Sequence, residues 1–145
     1  MVILDTDHLT LLERDSTEAF IIEKNILQNN AIVCTTIITF EEQMRGWLAF
    51  VAKANNPERE INAYQKLNRF LDVFCKLKVI DFDEKSSQIF QNLKSLKLKI
   101  GTMDLRIASI ALSNNATLLT RNARDFEQIP NLKFEDWTIL QFEHQ

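Results

Sequence analysis

Residues 2–7, Val2-Ile3-Leu4-Asp5-Thr6-Asp7, decide how this chain is read. An apolar triplet running straight into two carboxylates is the pattern of a short strand covered on both faces and ending at a polar connection. Runs of the same kind recur at 31–34, 77–80, 117–119 and, more weakly, 132–134, each too short for a helix. Helical patterns lie between them. Asn56 and Pro57 read as an N-cap and first helical position, followed by one apolar stripe of Ile61, Tyr64, Leu67, Leu71 and Phe74. Ile89, Leu93, Leu96 and Ile100 repeat the helical period, and Met103, Ile107 and Ile110 share one side of a helix that ends at Asn114-Asn115, a pair suited to a left-handed exit. Strands alternating with helices imply helical crossovers. The expected fold class is α/β: a single-domain three-layer α/β/α sandwich with a mainly parallel central sheet of four to five strands.

The chain has 145 residues, enough to bury one core and too few for two. With 46% hydrophobic and 26% charged residues it falls outside the disordered and membrane classes. No apolar run approaches the roughly 20 residues of a membrane span, and the first residues lack the basic start and cleavage site of a signal peptide. A cytoplasmic location, with no membrane partner, is the expectation. Cys34 and Cys75 lack CxxC spacing and read as buried free thiols. A net charge of −3 argues against polyanion binding by the whole surface. A local basic patch nevertheless exists in Lys85, Lys94, Lys97, Lys99 and Arg106, with Arg121 and Arg124 beyond it. It reads either as a solvated helix face or as a phosphate-binding surface.

In a parallel sheet, ligands bind beyond the carboxyl ends of the strands. Four acids fall at such positions: Asp5 after the first strand, Glu42 in the helix after the second, Asp104 in the first turn of a later helix, and Asp125 after another strand. Each has a plain structural reading. Thr39 and Glu42 have the spacing of a capping box, Asp104 suits a helix dipole, Asp125 suits an Asx-turn, and Asp7 suits the cap of a helix starting near His8. Gathered together, however, four carboxylates repel unless a cation or shared protons intervene. Oxygen donors without cysteine or histidine favour Mg²⁺ or Mn²⁺ over Zn²⁺. His8 and His144 are the only histidines, and neither is spaced for a nucleophilic triad.

The stretches VILDTD (2–7), TTIITFEEQMRG (35–46), IGTMDLRIASIAL (100–112) and ATLLTRNARDF (116–126) resemble, in this order, the motifs of PIN-domain ribonucleases, specifically VapC-type toxins of toxin–antitoxin pairs. The resemblance runs from Val2 to about Trp137. It implies a PIN-like nuclease domain over 1–138 with a short C-terminal tail at 139–145. It also implies a catalytic quartet of Asp5, Glu42, Asp104 and Asp125, in which Asp5 and Asp104 are the principal ligands of Mg²⁺ or Mn²⁺, Asp125 is a direct or water-mediated ligand, and Glu42 orients the attacking water or accepts its proton. Thr6, Thr120 and Asn122 are its expected polar helpers. Lys94, Lys97, Lys99, Arg106, Arg121 and Arg124 become candidates for RNA phosphates. The implied reaction is RNA phosphodiester hydrolysis, and the implied partners are RNA, a small cognate antitoxin and a second copy of the chain. Asp7 is open as an outer carboxylate or a cap, and the neighbouring Glu41 competes with Glu42 for the inward position. Trp47 and Phe50 read as core or as part of a dimer or antitoxin groove.

Two other readings stand beside this one. DTDHL is close to the DxDx[TV] signature of haloacid-dehalogenase-like phosphatases, with Asp5 as nucleophile and Asp7 as acid–base, although Leu9 breaks the final position. The other is a PIN-like module that binds without catalysing.

Overall fold

The opening triplet forms β1 (Val2–Leu4), and its side chains alternate between two cores. Ile3 enters one, while Val2 and Leu4 enter the other. The computed structural model describes residues 1–140; His144 and the end of the expected 139–145 tail lie outside the described residues. After β1 come α1 (Thr6–Leu12), α2 (Thr17–Gln28), β2 (Val33–Thr36), α3 (Ile37–Ala52), α4 (Pro57–Lys76) and β3 (Lys78–Ile80). The second half comprises α5 (Glu84–Ser95), α6 (Thr102–Ser113), β4 (Thr117–Leu119), α7 (Ala123–Phe126) and β5 (Lys133–Glu135). All five strands are parallel, in the order β3-β2-β1-β4-β5, as the alternation of strands and helices requires.

The order of the strands determines where a site can form. From β1 the chain builds outward through β2 to β3, then crosses back to add β4 and β5 on the other side of β1. The crossovers therefore diverge between β1 and β4, which opens a crevice at the carboxyl ends of those two strands. Asp5 follows β1 and Thr120 follows β4.

Two helical layers cover the sheet. On one face Phe90 and Leu93 of α5 and Leu105, Ile107 and Ile110 of α6 pack with Ile3, Cys34 and Leu118. On the other, Leu9, Phe70, Phe74 and Trp137 pack with Val2, Leu4 and Leu119. Rings of α3 and α4 join this second core: the Phe40 centroid lies 5.5 Å from that of Phe70 and 5.2 Å from that of Phe74. Asn115 ends α6 with φ 50°, and the Ala116 amide closes back on the Ala111 carbonyl, so the left-handed exit expected at Asn114-Asn115 forms. Asn30 does the same after α2, with Ala31 closing on Ile26. That closure delays β2 to Val33, two residues beyond the expected start at 31.

Two expectations are corrected. The apolar stripe assigned to α4 is only partly its buried face: Phe74 is buried and Leu67 packs on the core, but Ile61, Tyr64 and Leu71 are 61%, 55% and 55% exposed, and Ala63 and Phe70, outside the stripe, are buried. α4 leans on α3 rather than spanning the sheet, so only part of its apolar circumference finds a neighbour. Cys75 belongs to the uncovered side and is exposed; only Cys34 is a buried thiol. Among the described residues no helix is long and apolar enough to cross a membrane.

The face assignment of α4 separates two substitutions. Phe74→Ala should cost about 3–5 kcal/mol in urea unfolding, as for a ring removed from a packed core, while Ile61→Ala should stay within about 0.5 kcal/mol of the parent. Equal costs would show that the exposed stripe is packed after all.

Candidate metal centre

Asp5 continues the line of β1, its amide donating to the Leu119 carbonyl at 3.1 Å. It then starts α1 as the N-cap, with Oδ1 accepting from the His8 amide at 2.7 Å. The cap expected from Asp7 is thus made by Asp5. Asp7 instead forms a two-pronged pair with Arg121, with contacts of 2.6 and 2.8 Å, that ties the first turn of α1 to the loop after β4.

Glu42 is placed by a run of threonines. Thr36 caps α3, accepting from the Thr39 amide at 3.1 Å, so Thr39 lies inside the helix and the expected Thr39–Glu42 capping box does not form. Freed from capping, Glu42 reaches across to α1, where the Thr6 hydroxyl donates to its Oε1 at 3.0 Å. Glu41 is turned outward and pairs with Arg45, which leaves Glu42 as the inward acid. Burial pushes the Glu42 carboxyl above its ordinary value, against the lowering effect of the Thr6 hydrogen bond, and Asp5 adds to the rise.

Asp104 lies in the first turn of α6, whose N-cap Gly101 offers no side chain. A carboxylate there only to complement a helix dipole would ionise more readily than usual. Asp104 does the opposite. Its carboxyl is pushed up to about 6, first by burial and then by the charges of Glu42, Asp5 and Asp125. Four acids distant in sequence therefore act on one spot. Asp125 is set by α7: Asn122 caps that short helix and donates to Asp125 Oδ2 at 2.8 Å, while Thr120 Oγ1 accepts from the Asn122 amide at 3.0 Å. The three helper residues thus lie one hydrogen bond from the acidic cluster or from a residue that holds it.

The donor chemistry suits a hard divalent cation. None of Asp5, Glu42, Asp104 and Asp125 forms a salt bridge to lysine or arginine among the described residues, so no directly paired cation offsets their mutual repulsion. All four offer oxygen only. Among the described residues one trio of ligand-type atoms lies within 4.8 Å: Asp5, Asp7 and His8. It follows from the crowding of one helical turn and does not make a centre. Asp7 is occupied by Arg121, and His8 Nε2 accepts from the Trp137 amide at 3.2 Å, which puts the ring proton on Nδ1, the nitrogen facing Asp5. A protonated nitrogen cannot bind metal. As sets of three, the quartet's oxygens stand further apart than that trio.

The basic candidates divide into groups. Lys94 and Arg106 both lie over the Phe90 ring, at 5.5 and 5.0 Å from its centre. The loop carrying Lys97 and Lys99 is fastened to the α7 region, because Gln128 bonds both the amide and the carbonyl of Lys99 at 3.1 Å and also reaches the Asp125 carbonyl. Arg124 is exposed on α7. Arg121 differs from the rest, since Asp7 takes two of its donors. The contact of His8 with Trp137, 129 positions away, is not foreshadowed in the sequence; a histidine three residues after the key aspartate, on the face of α1 that carries Leu9 and Leu11, is the one local signal.

A parallel α/β sheet with mutually repelling acids beyond the carboxyl ends of β1 and β4 defines an α/β domain with a cation-suited acidic centre. Residues 2–132 match the PIN domain family. The chain is 35% identical over 116 residues to ribonuclease VapC2 of Rickettsia felis, covering 77% of this chain and 78% of that protein. It is 29% identical over 113 residues to the tRNA(fMet)-specific endonuclease VapC of Salmonella typhimurium, covering 75% and 78%. The crystal structure of VapBC2 from Rickettsia felis, bound to a promoter DNA fragment, superposes with a TM-score of 0.69 at 28% identity over 94% of this chain and 99% of that one. The chain belongs to the PIN-domain family and, within it, to the VapC ribonucleases.

The charge at Asp104 has a measurable consequence. Its folded-state value is raised, so the stability associated with the protonated form is present below the unfolded value of 3.8 and is lost as pH rises through about 6. Asp104→Asn removes that loss. In EDTA at pH 7.5 the variant should be more stable than the parent by ~1–2 kcal/mol, allowing for solvent screening of a half-exposed carboxylate, and the difference should vanish near pH 4. Urea unfolding at both pH values checks it; a parent that is the more stable of the two at pH 7.5 contradicts the clustering.

Proposed function

We infer that this chain is a divalent-cation-dependent endoribonuclease and the toxin of a toxin–antitoxin pair. The observation that carries the reading is the Asp104 carboxyl, pushed up to about 6 by burial and by Glu42, Asp5 and Asp125 together. Family membership supplies the substrate class, since relatives are named as a ribonuclease and as a transfer-RNA endonuclease. The folded unit at 1–138 is read as the nuclease domain.

In this reading Asp5, Asp104 and Asp125 hold Mg²⁺ or Mn²⁺, and the cation supplies Lewis acidity, which polarises a phosphodiester and makes water acidic enough to attack it. The protein's own groups do the positioning. Asp5 is held by the α1 cap, Asp125 by Asn122, and Asn122 in turn by Thr120. Glu42, with Oε1 held by Thr6 and its affinity for a proton raised by burial, orients the attacking water and accepts its proton. Lys94, Lys97, Lys99, Arg106 and Arg124 hold backbone phosphates beside the crevice. Arg121 contributes through the loop that it fastens to Asp7. An RNA substrate implies a cytoplasmic setting.

The same reading includes an antitoxin partner and a homodimer. Its support is the likeness to toxin–antitoxin complexes such as that of Rickettsia felis. The phosphatase alternative needs Asp7 as a free acid–base, whereas Arg121 holds both Asp7 oxygens. The non-catalytic alternative leaves the retained, mutually repelling carboxylates without a purpose.

Asp5→Asn is the decisive variant, because asparagine accepts the His8 amide as well as aspartate does and keeps the cap. RNA cleavage by the purified protein should fall by about a hundredfold or more with a melting temperature no lower than the parent's, and EDTA should abolish cleavage by the parent. Growth arrest on expression should be relieved by co-expressing the neighbouring gene product. Parent-level cleavage by Asp5→Asn would overturn the assignment.

A further inference from the structure

His8 is a fully buried polar residue in a helix whose other buried residues, Leu9 and Leu11, are apolar. A buried imidazole lowers stability unless both ring nitrogens are used. One of them plainly is: Nε2 accepts from the backbone amide of Trp137 at 3.2 Å. An accepting nitrogen carries no proton, so the proton of the neutral ring sits on Nδ1. Nδ1 makes no full hydrogen bond. The polar atom it faces is Asp5 Oδ1, at 3.4 Å, the oxygen that also accepts from the His8 amide.

We propose that His8 is a positioning residue that orients the Asp5 carboxylate for cation binding, and that the segment after β5 holds His8 for this task. The His8 amide donates to Asp5 Oδ1, and Nδ1 stands 3.4 Å from that same oxygen without the geometry of a hydrogen bond. Holding Oδ1 in this way sets the plane of the carboxylate and therefore the direction of Oδ2. Outer-sphere partners of this kind govern ligand orientation in metal sites.

The ring is held from behind by the chain's far end. The Trp137 peptide is gripped at both poles: its N–H meets His8, and its carbonyl accepts from the Asn25 amide group at 3.1 Å. Asn25, itself fully buried on α2, also donates to the Ile139 carbonyl at 3.0 Å. The Trp137 indole N–H anchors to Glu135 of β5 at 3.0 Å. Glu135, Trp137 and Ile139 lie beyond residue 132, where the match to the family ends, whereas His8 and Asn25 lie within it. The inference rests on the reading of Asp5 as a cation ligand.

The two amide isosteres of histidine separate the two halves of the argument. His8→Asn places an N–H donor where Nδ1 was and loses the acceptor for Trp137. His8→Gln places a carbonyl where Nε2 was and loses the donor toward Asp5. MnCl₂ titration of the full chain by calorimetry, with melting curves of each variant, reads the outcome. His8→Gln should weaken Mn²⁺ binding by about tenfold or more, and His8→Asn, which keeps the donor but loses the hold of Trp137, should weaken it by about threefold or more; parent-level binding by His8→Asn overturns the role of the segment after β5. Asp5→Asn, run alongside, tests the underlying reading. If Asp5→Asn weakens binding but His8→Gln does not, the role of His8 is overturned and the ligand assignment stands; if Asp5→Asn has no effect, both fall. Should either histidine variant fail to fold, nitrogen-15 NMR of the parent imidazole decides the point. A proton on Nδ1 supports the proposal, and a proton on Nε2 overturns it.

Discussion

Repulsion among four carboxylates is the constraint on which the organisation of this protein turns. Burial, together with the nearby charges of Glu42, Asp5 and Asp125, pushes the Asp104 carboxyl up to about 6. No lysine or arginine forms a salt bridge with any of them among the described residues. A protein retains such a cluster at a cost in stability, and a divalent cation removes that cost by binding. Stability and activity are thereby coupled through the same oxygens.

The scaffold answers this constraint with rigid anchoring. Each acid is held by a local device of its own: a helix cap for Asp5, a threonine hydroxyl for Glu42, the first turn of α6 for Asp104 and an asparagine cap for Asp125. The parallel order β3-β2-β1-β4-β5 brings these devices to one crevice, because the crossovers part between β1 and β4. Packing beneath the crevice is dry and dense. Ile3, Leu4, Leu118 and Leu119 have no exposed surface, so the ends of the two central strands have little freedom to shift. Asp7 and Arg121 add a clamp across the rim, linking α1 to the loop after β4.

Much of this was legible in the sequence, for physical reasons that also explain the errors. Short apolar runs announce parallel strands, buried in β1, β2 and β4 but partly exposed in the edge strands β3 and β5, and acids at their ends stand out because such positions have no need of charge. The register of caps was harder. Thr36 and Thr39 are chemically alike, and only the start of α3 shows which one closes it. In α4 the stripe Ile61-Tyr64-Leu67-Leu71-Phe74 runs beside Ala63 and Phe70, and only the placement of α3 shows that Ala63, Phe70 and Phe74 are the buried residues. Contacts spanning most of the chain, such as Asp7 with Arg121 and His8 with Trp137, leave no periodic trace at all.

The central claim is that one divalent cation lies among Asp5, Asp104 and Asp125. Anomalous diffraction from crystals soaked in MnCl₂ tests it most directly. An anomalous peak is expected within bonding distance of Asp5 and Asp104 oxygens and in direct or water-mediated contact with Asp125, lost in crystals of Asp104→Asn. A peak on Asp7 and His8 instead, or none in the crevice while the protein cleaves RNA, would contradict it.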